Sequence, residues 1–100
     1  MSRTVVVRYE TRPEAAEKNE RLIRAVFEEL AATGPDGLRY ASFRLADGVT
    51  FVHVAITEGA DPLRESAAFK EFSGGVGSRV VSGPVVSEAT LVGSYGFLAG

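Results

Sequence analysis

The chain has one histidine, His53, flanked by two valines in the run TFVHVAIT at residues 50–57. An imidazole titrates near neutral pH and can act as acid or base in proton transfer. Strand alternation gives Val52 and Val54 to one face and His53 to the other. The preceding run LRYASFRL alternates as well, and Asp47-Gly48 between the two marks a two-residue hairpin turn of type I′. In that hairpin Ser42 stands opposite His53, and Tyr40, Arg44 and Phe51 share its face. Arg8 in the first strand and Glu88 in the last extend the same face, because the order of elements sets those strands side by side. Tyr40, Ser42, Phe51 and Glu88 then form a floor suited to a substrate with hydroxyl or carbonyl groups. Arg8 or Arg44 would steady a developing enolate or phenolate, since a fixed cation near developing negative charge lowers the barrier. His53, Arg44 and Arg8 are the candidate catalytic residues; the other four are candidate substrate contacts.

Competing chemistries lack their residues. There are no cysteines, hence no disulfide, no thiolate nucleophile and no cysteine-ligated metal. One histidine and scattered carboxylates offer no metal-ligand spacing and no nucleophile–histidine–acid order of a hydrolase. The stretch SGGVGSR follows a helix, lacks lysine and leads into a strand, which is the wrong context for a phosphate loop. Gly74, Gly75 and Gly77 there read as turn formers. No cofactor is implied.

The elements that must position these residues follow from punctuation and periodicity. RTVVVRYE predicts a strand. TRPEAAEKNERLIRAVFEELAATGPDG predicts a helix, with Thr11 and Glu14 as a capping box, Pro13 in the first turn and Gly34-Pro35 as the stop. Ala15, Leu22, Ile23, Val26 and Leu30 make its buried stripe. In the hairpin, Ala41, Phe43, Leu45, Val52, Val54 and Ile56 read as the core face, which sends His53 away from the helices. DPLRESAAFKEF predicts a second helix with Asp61 as N-cap. PVVSEATLVGSY predicts the last strand and GFLAG an apolar tail. The order βαββαβ implies an α+β, ferredoxin-like split-βαβ fold, an antiparallel sheet with both helices on one face. The opposite face is expected to carry Val6, Phe51, Ala55, Val86 and Val92. Burying each large apolar side chain there is worth roughly 1.5–3 kcal/mol, and monomers rarely expose so large a patch. A second copy is the expected cover.

One hundred residues with 45% hydrophobic content make one domain spanning 1–100. A net charge of −2 and a pI near 5.4 give no basic field for nucleic acid. No apolar run approaches the roughly 18 residues of a membrane span, and no secretory segment is present, so a cytoplasmic location is expected.

The stretch ESAAFKEF, the lengths of the six elements and the half-apolar open face resemble the dimeric α/β-barrel superfamily, and within it small proteins like the antibiotic-biosynthesis monooxygenases. The resemblance runs from Val5 to about Tyr95. It implies a homodimer whose sheets face each other, with a small-molecule cavity in each subunit. Members include cofactor-independent oxygenases of polyketide-like aromatics, isomerases and haem-degrading enzymes. The oxygenases use a tryptophan, an asparagine and an arginine near the substrate; this chain has no tryptophan, and its one asparagine, Asn19, falls in the first helix near the buried stripe. Relatives also carry an aromatic residue after the third strand and a histidine in the second helix. The corresponding TEGADP and LRESAAFKEF have neither, so a haem ligand is missing. The expected function is binding of a small organic molecule, with cofactor-free oxygenation or proton transfer as the chemistry. The alternative is a non-catalytic structural or stress-related dimeric module in which His53, Arg8 and Glu88 fill the interface.

Overall fold

The computed structural model describes residues 2–96. Six main elements follow in the expected order: β1 (Ser2–Thr11), α1 (Ala16–Thr33), β2 (Leu38–Arg44), β3 (Thr50–Glu58), α2 (Ala67–Gly75) and β4 (Val80–Ala89). The strands form one antiparallel sheet in the order β2-β3-β1-β4. This is the ferredoxin-like arrangement, with α1 and α2 on one side. Gly34 ends α1 in the left-handed conformation, its N–H bonded to Leu30 O, as an αL cap requires. No described helix is long and apolar enough to cross a membrane.

Local punctuation departs from expectation at four places. Thr11 does not cap α1; it ends β1, fully buried, with its N–H and hydroxyl both on Val49 O. The strand's own ladder claims it, and a 3-10 turn, Pro13–Ala15, leads into the helix. The second helix is two pieces. Asp61 caps a 3-10 turn, Pro62–Glu65, and Ser66, in extended backbone, caps α2 by accepting from Phe69 N–H. β4 begins at Val80 and ends at Ala89, well short of the expected Tyr95. Of the tail GFLAG, all but Gly96 lies outside the described residues.

The hairpin keeps its register, Ser42 opposite His53 and Phe43 opposite Val52, but not its two-residue turn. Leu45 and Thr50 close a wider loop, with Gly48 N–H donating to Leu45 O. The Asp47 carboxylate accepts the N–H groups of Val49 and Thr50 at 3.0 and 2.9 Å, bonds that hold the longer loop. Both loops are centred between residues 47 and 48, which is why the register survives.

The faces are exchanged. The helices cover the side that carries Tyr9, Phe51 and His53, and the core there joins Tyr9, Ala16, Ile23, Val26, Phe51, Leu63 and Phe72. Ala55 and Val86 face the same way, through their pairing with Val5 and Val7. Val92 lies beyond β4. The uncovered face instead holds Val6, Phe43, Val52, Val54, Ile56 and Val85. Alternation decides which residues share a face; which face the helices choose depends on volume. The three rings of Tyr9, Phe51 and Tyr40 bury more area than the valines do.

β4 crosses close to the backbone of Tyr9. The β1–β4 register shifts between Arg8 and Glu10, and there Gly83 has φ +91°, with a Cβ position 2.9 Å from Arg8 O and 3.1 Å from Tyr9 Cα. Gly83→Ala is expected to lower unfolding free energy by roughly 2–4 kcal/mol, combining left-handed strain with overpacking. Gly59→Ala, at φ +75° in open space, should cost only about 1–2 kcal/mol. Urea denaturation of the two variants checks this, and equal losses would contradict the close approach.

Candidate functional site

His53 is buried beneath the helices, 4% exposed. Its register neighbours are Ser42 on β2 and Val7 on β1, and diagonal to it stand Tyr40 and Tyr9. At that spacing aromatic rings reach one another across a sheet. Tyr9 and Tyr40 stack on the imidazole from either side, with centroids 5.4 and 5.9 Å away. Both ring nitrogens have partners: Tyr9 Oη lies 2.8 Å from Nε2, while Ser42 Oγ and Tyr40 Oη lie 2.6 and 2.9 Å from Nδ1.

The polar contacts continue away from the ring. Asn19 Nδ2 donates to Tyr9 Oη at 2.8 Å, and Arg79 Nε donates to Asn19 Oδ1 at 2.9 Å. Asn19 is fully buried on α1, and Arg79 is 4% exposed. Among the described residues no carboxylate pairs with that guanidinium. It donates instead to Phe72 O and lies over the Phe72 ring, 5.3 Å from the centroid. A carbonyl in the last turn of a helix and an aromatic face both favour a cation.

A cavity of about 740 Å³ opens between this cluster and α2. Val5, Val7, Leu63, Phe69, Phe72 and Val86 form apolar walls; His53, Tyr9 and Tyr40 supply the polar floor. Arg3, Asp61, Arg64 and Glu65 bring mixed charge to the lining. A concave, mostly apolar site with a few converging polar groups is the usual form of a small-molecule site. No set of three His, Cys, Asp or Glu side chains converges among the described residues.

The structure brings together His53, Tyr40 and Ser42 and separates the rest. Arg8 pairs with Val52 and Val85, on the uncovered face. Arg44 binds Glu17 and Glu20 of α1, each at 3.0 Å, strapping β2 to that helix. Phe51 is fully buried, stacked on Tyr9 and outside the cavity lining. Glu88 is on the helix side but pairs with exposed Arg3 at 3.1 Å. Three members of the cluster escaped the sequence reading. Asn19 had a signal, being a polar residue on the same helical stripe as Ala15 and Ile23. Tyr9 had a weaker one, alternation from Val5 and Val7. Arg79 had none.

Burial sets the charge state. It pulls His53 from the usual 6.5 down to about 4 and pushes Tyr9 and Tyr40 up to about 12, so all three are neutral at pH 7. Below pH 6.5 the unfolded chain takes up a proton that the folded chain refuses until about pH 4. The stability contribution is therefore complete above pH 6.5 and is lost as pH falls. At ~1.4 kcal/mol per pH unit the loss approaches roughly 3 kcal/mol. His53→Gln should flatten unfolding free energy between about pH 6.5 and 4.5, measured by urea titration. Glu20, held low by Arg24 and Arg44, and Asp47, held low by Thr50 and Val49, act in both proteins and cancel in the difference.

No family model and no curated protein matches the sequence. Solved structures do. Rv0793 from Mycobacterium tuberculosis is 22% identical over 94% of this chain and 98% of its own, with a TM-score of 0.75. A protein named antibiotic biosynthesis monooxygenase is 20% identical over 93% of this chain and all of its own, TM-score 0.67. SnoaB, a cofactor-independent oxygenase from Streptomyces nogalater, is 17% identical over 93% of this chain and 95% of its own, TM-score 0.66. By this likeness the chain has the fold of the antibiotic-biosynthesis-monooxygenase-like proteins.

Proposed function

We propose that this protein binds a small, largely apolar molecule bearing a hydroxyl or carbonyl oxygen, and exchanges a proton with it at the end of the cavity floored by His53, Tyr9 and Tyr40. The observation that carries this is a cavity of about 740 Å³ whose apolar walls end on three titratable side chains. The neutral imidazole can take up a proton at Nε2 by way of the Tyr9 hydroxyl, which bonds that nitrogen and lines the cavity, and an oxyanion formed nearby would raise the ring's affinity for the proton. The burial of His53 and the two tyrosines strengthens both effects. An enolisable aromatic ketone deprotonated there could give its electrons to dioxygen without a cofactor. For anthrone the balance is one ketone and one O2 to one anthraquinone and one water. The likeness to SnoaB supports this chemistry.

The test pairs binding with oxygen uptake. 1-Naphthol should bind saturably by calorimetry, and anthrone should drive O2 consumption that falls at least about tenfold in His53→Gln. The rival, a non-catalytic module, is favoured by one fact: no buried side-chain nitrogen or oxygen among the described residues lacks a partner. Loss of stability in His53→Gln without any naphthol binding or oxygen uptake in the wild type would decide for it.

A second copy is the proposed cover for Val6, Phe43, Val52, Val54, Ile56 and Val85. Alternation gathers these apolar residues on one face, and pairing of two such faces would remove the patch from water. Sedimentation should show a dimer at micromolar concentration and a folded monomer for Val54→Arg; a monomeric wild type would refute the assembly.

A further inference from the structure

The contacts around His53 have a direction, and Arg79 sets it. A guanidinium can only donate, so the bond from Arg79 Nε at 2.9 Å fixes the Asn19 oxygen on its side. The Asn19 amide nitrogen is thereby turned to Tyr9, whose oxygen accepts from it at 2.8 Å. Tyr9 is buried and must place its own hydrogen, and the acceptor in reach is His53 Nε2 at 2.8 Å. A ring nitrogen that accepts is bare, and a neutral imidazole then carries its proton on Nδ1.

Counting hydrogens on the far side of the ring gives a consequence for the cavity. Nδ1–H faces Ser42 Oγ and Tyr40 Oη and can accept from neither. The Ser42 hydrogen can pass to the Tyr40 oxygen, but the Tyr40 hydrogen then has no acceptor in the cluster. Tyr40 lines the cavity and Ser42 does not. With the proton on Nε2 instead, Nδ1 would absorb the Tyr40 hydrogen, and the hydrogen left without an acceptor would be that of Tyr9 and not that of Tyr40.

We propose that Arg79 and Asn19, acting through Tyr9, hold His53 as the Nδ1–H tautomer and so leave the Tyr40 hydroxyl to donate to a ligand oxygen. Arg79 and Asn19 are positioning residues; Tyr40 selects ligands that present a carbonyl or an oxyanion. The selection by Tyr40 rests on the ligand-binding reading above, whereas the tautomer does not.

The chain's single histidine makes the test direct, because a long-range 1H–15N spectrum shows one imidazole. Ligand-free wild type at pH 7 should show Nδ1 protonated and Nε2 bare; the reverse overturns the proposal. Asn19→Asp keeps an acceptor for Arg79 but also offers one to Tyr9, so the Tyr9 hydrogen turns away and the ring should switch to Nε2–H. An unchanged spectrum in a folded Asn19→Asp protein overturns the relay. Arg79→Met frees the Asn19 amide to rotate and should give an average of the two tautomers; a pure Nδ1–H spectrum there also overturns it. For the ligand, 1-tetralone should bind about tenfold more tightly than tetralin, and Tyr40→Phe should erase the preference. A preference that survives in Tyr40→Phe defeats the selection by Tyr40. Failure of both compounds to bind defeats it together with the ligand-binding reading, while the spectrum still decides the tautomer.

Discussion

The structure depends on keeping one imidazole uncharged and fully hydrogen-bonded in the middle of a packed layer. An unpaired polar group buried there would cost roughly 1–3 kcal/mol, so His53 has to bring its partners with it. Two of them arrive by strand pairing alone: Ser42 lies directly opposite, and Tyr40 diagonally beyond it. Tyr9 comes from the other neighbouring strand. Because Tyr9 and Tyr40 are aromatic as well as polar, two of the side chains that satisfy the ring also supply apolar surface on which α1 and α2 rest. Polarity and packing are met by one set of residues.

That overlap also explains what could and could not be read from the chain. The order of elements, the sheet topology and the hairpin register followed from alternation and turn residues, which are local. The facing of the sheet did not, because His53 among valines looks like the polar side of a strand until its partners are known. The residues that hold one of those partners, Tyr9, lie far away in sequence: Asn19 on α1 bonds Tyr9, and Arg79 after α2 bonds Asn19. A lone arginine next to a glycine-rich stretch carries no periodic signal. Its burial is visible only when the strand end, the helix end and the Phe72 ring are assembled around it. Ser42 and Tyr40 were legible because their link to His53 is a register; Arg44 misled because its partners, Glu17 and Glu20, are on a helix.

The exchanged faces alter what each surface offers. The side that the helices cover contains the cavity, His53 and the two tyrosines. The bare side contains β-branched residues and Phe43, with Arg8 and Glu10 among them. An apolar sheet face with charge only at intervals suits contact with another protein surface more than it suits a reacting molecule, which needs the enclosure found on the other side. The two proposed tasks would thus fall on opposite sides of a single sheet.

The backbone bond from Arg12 N–H to Arg79 O, at 2.9 Å, gives the polar chain an unequal mechanical character. It ties Arg79 to the end of β1, the strand that also carries Tyr9, so these two travel as one body. Asn19 alone rides on α1. A displacement of that helix against the sheet would therefore load both of its bonds at once, since Tyr9 and Arg79 are joined to each other's strand ends on either side of Asn19.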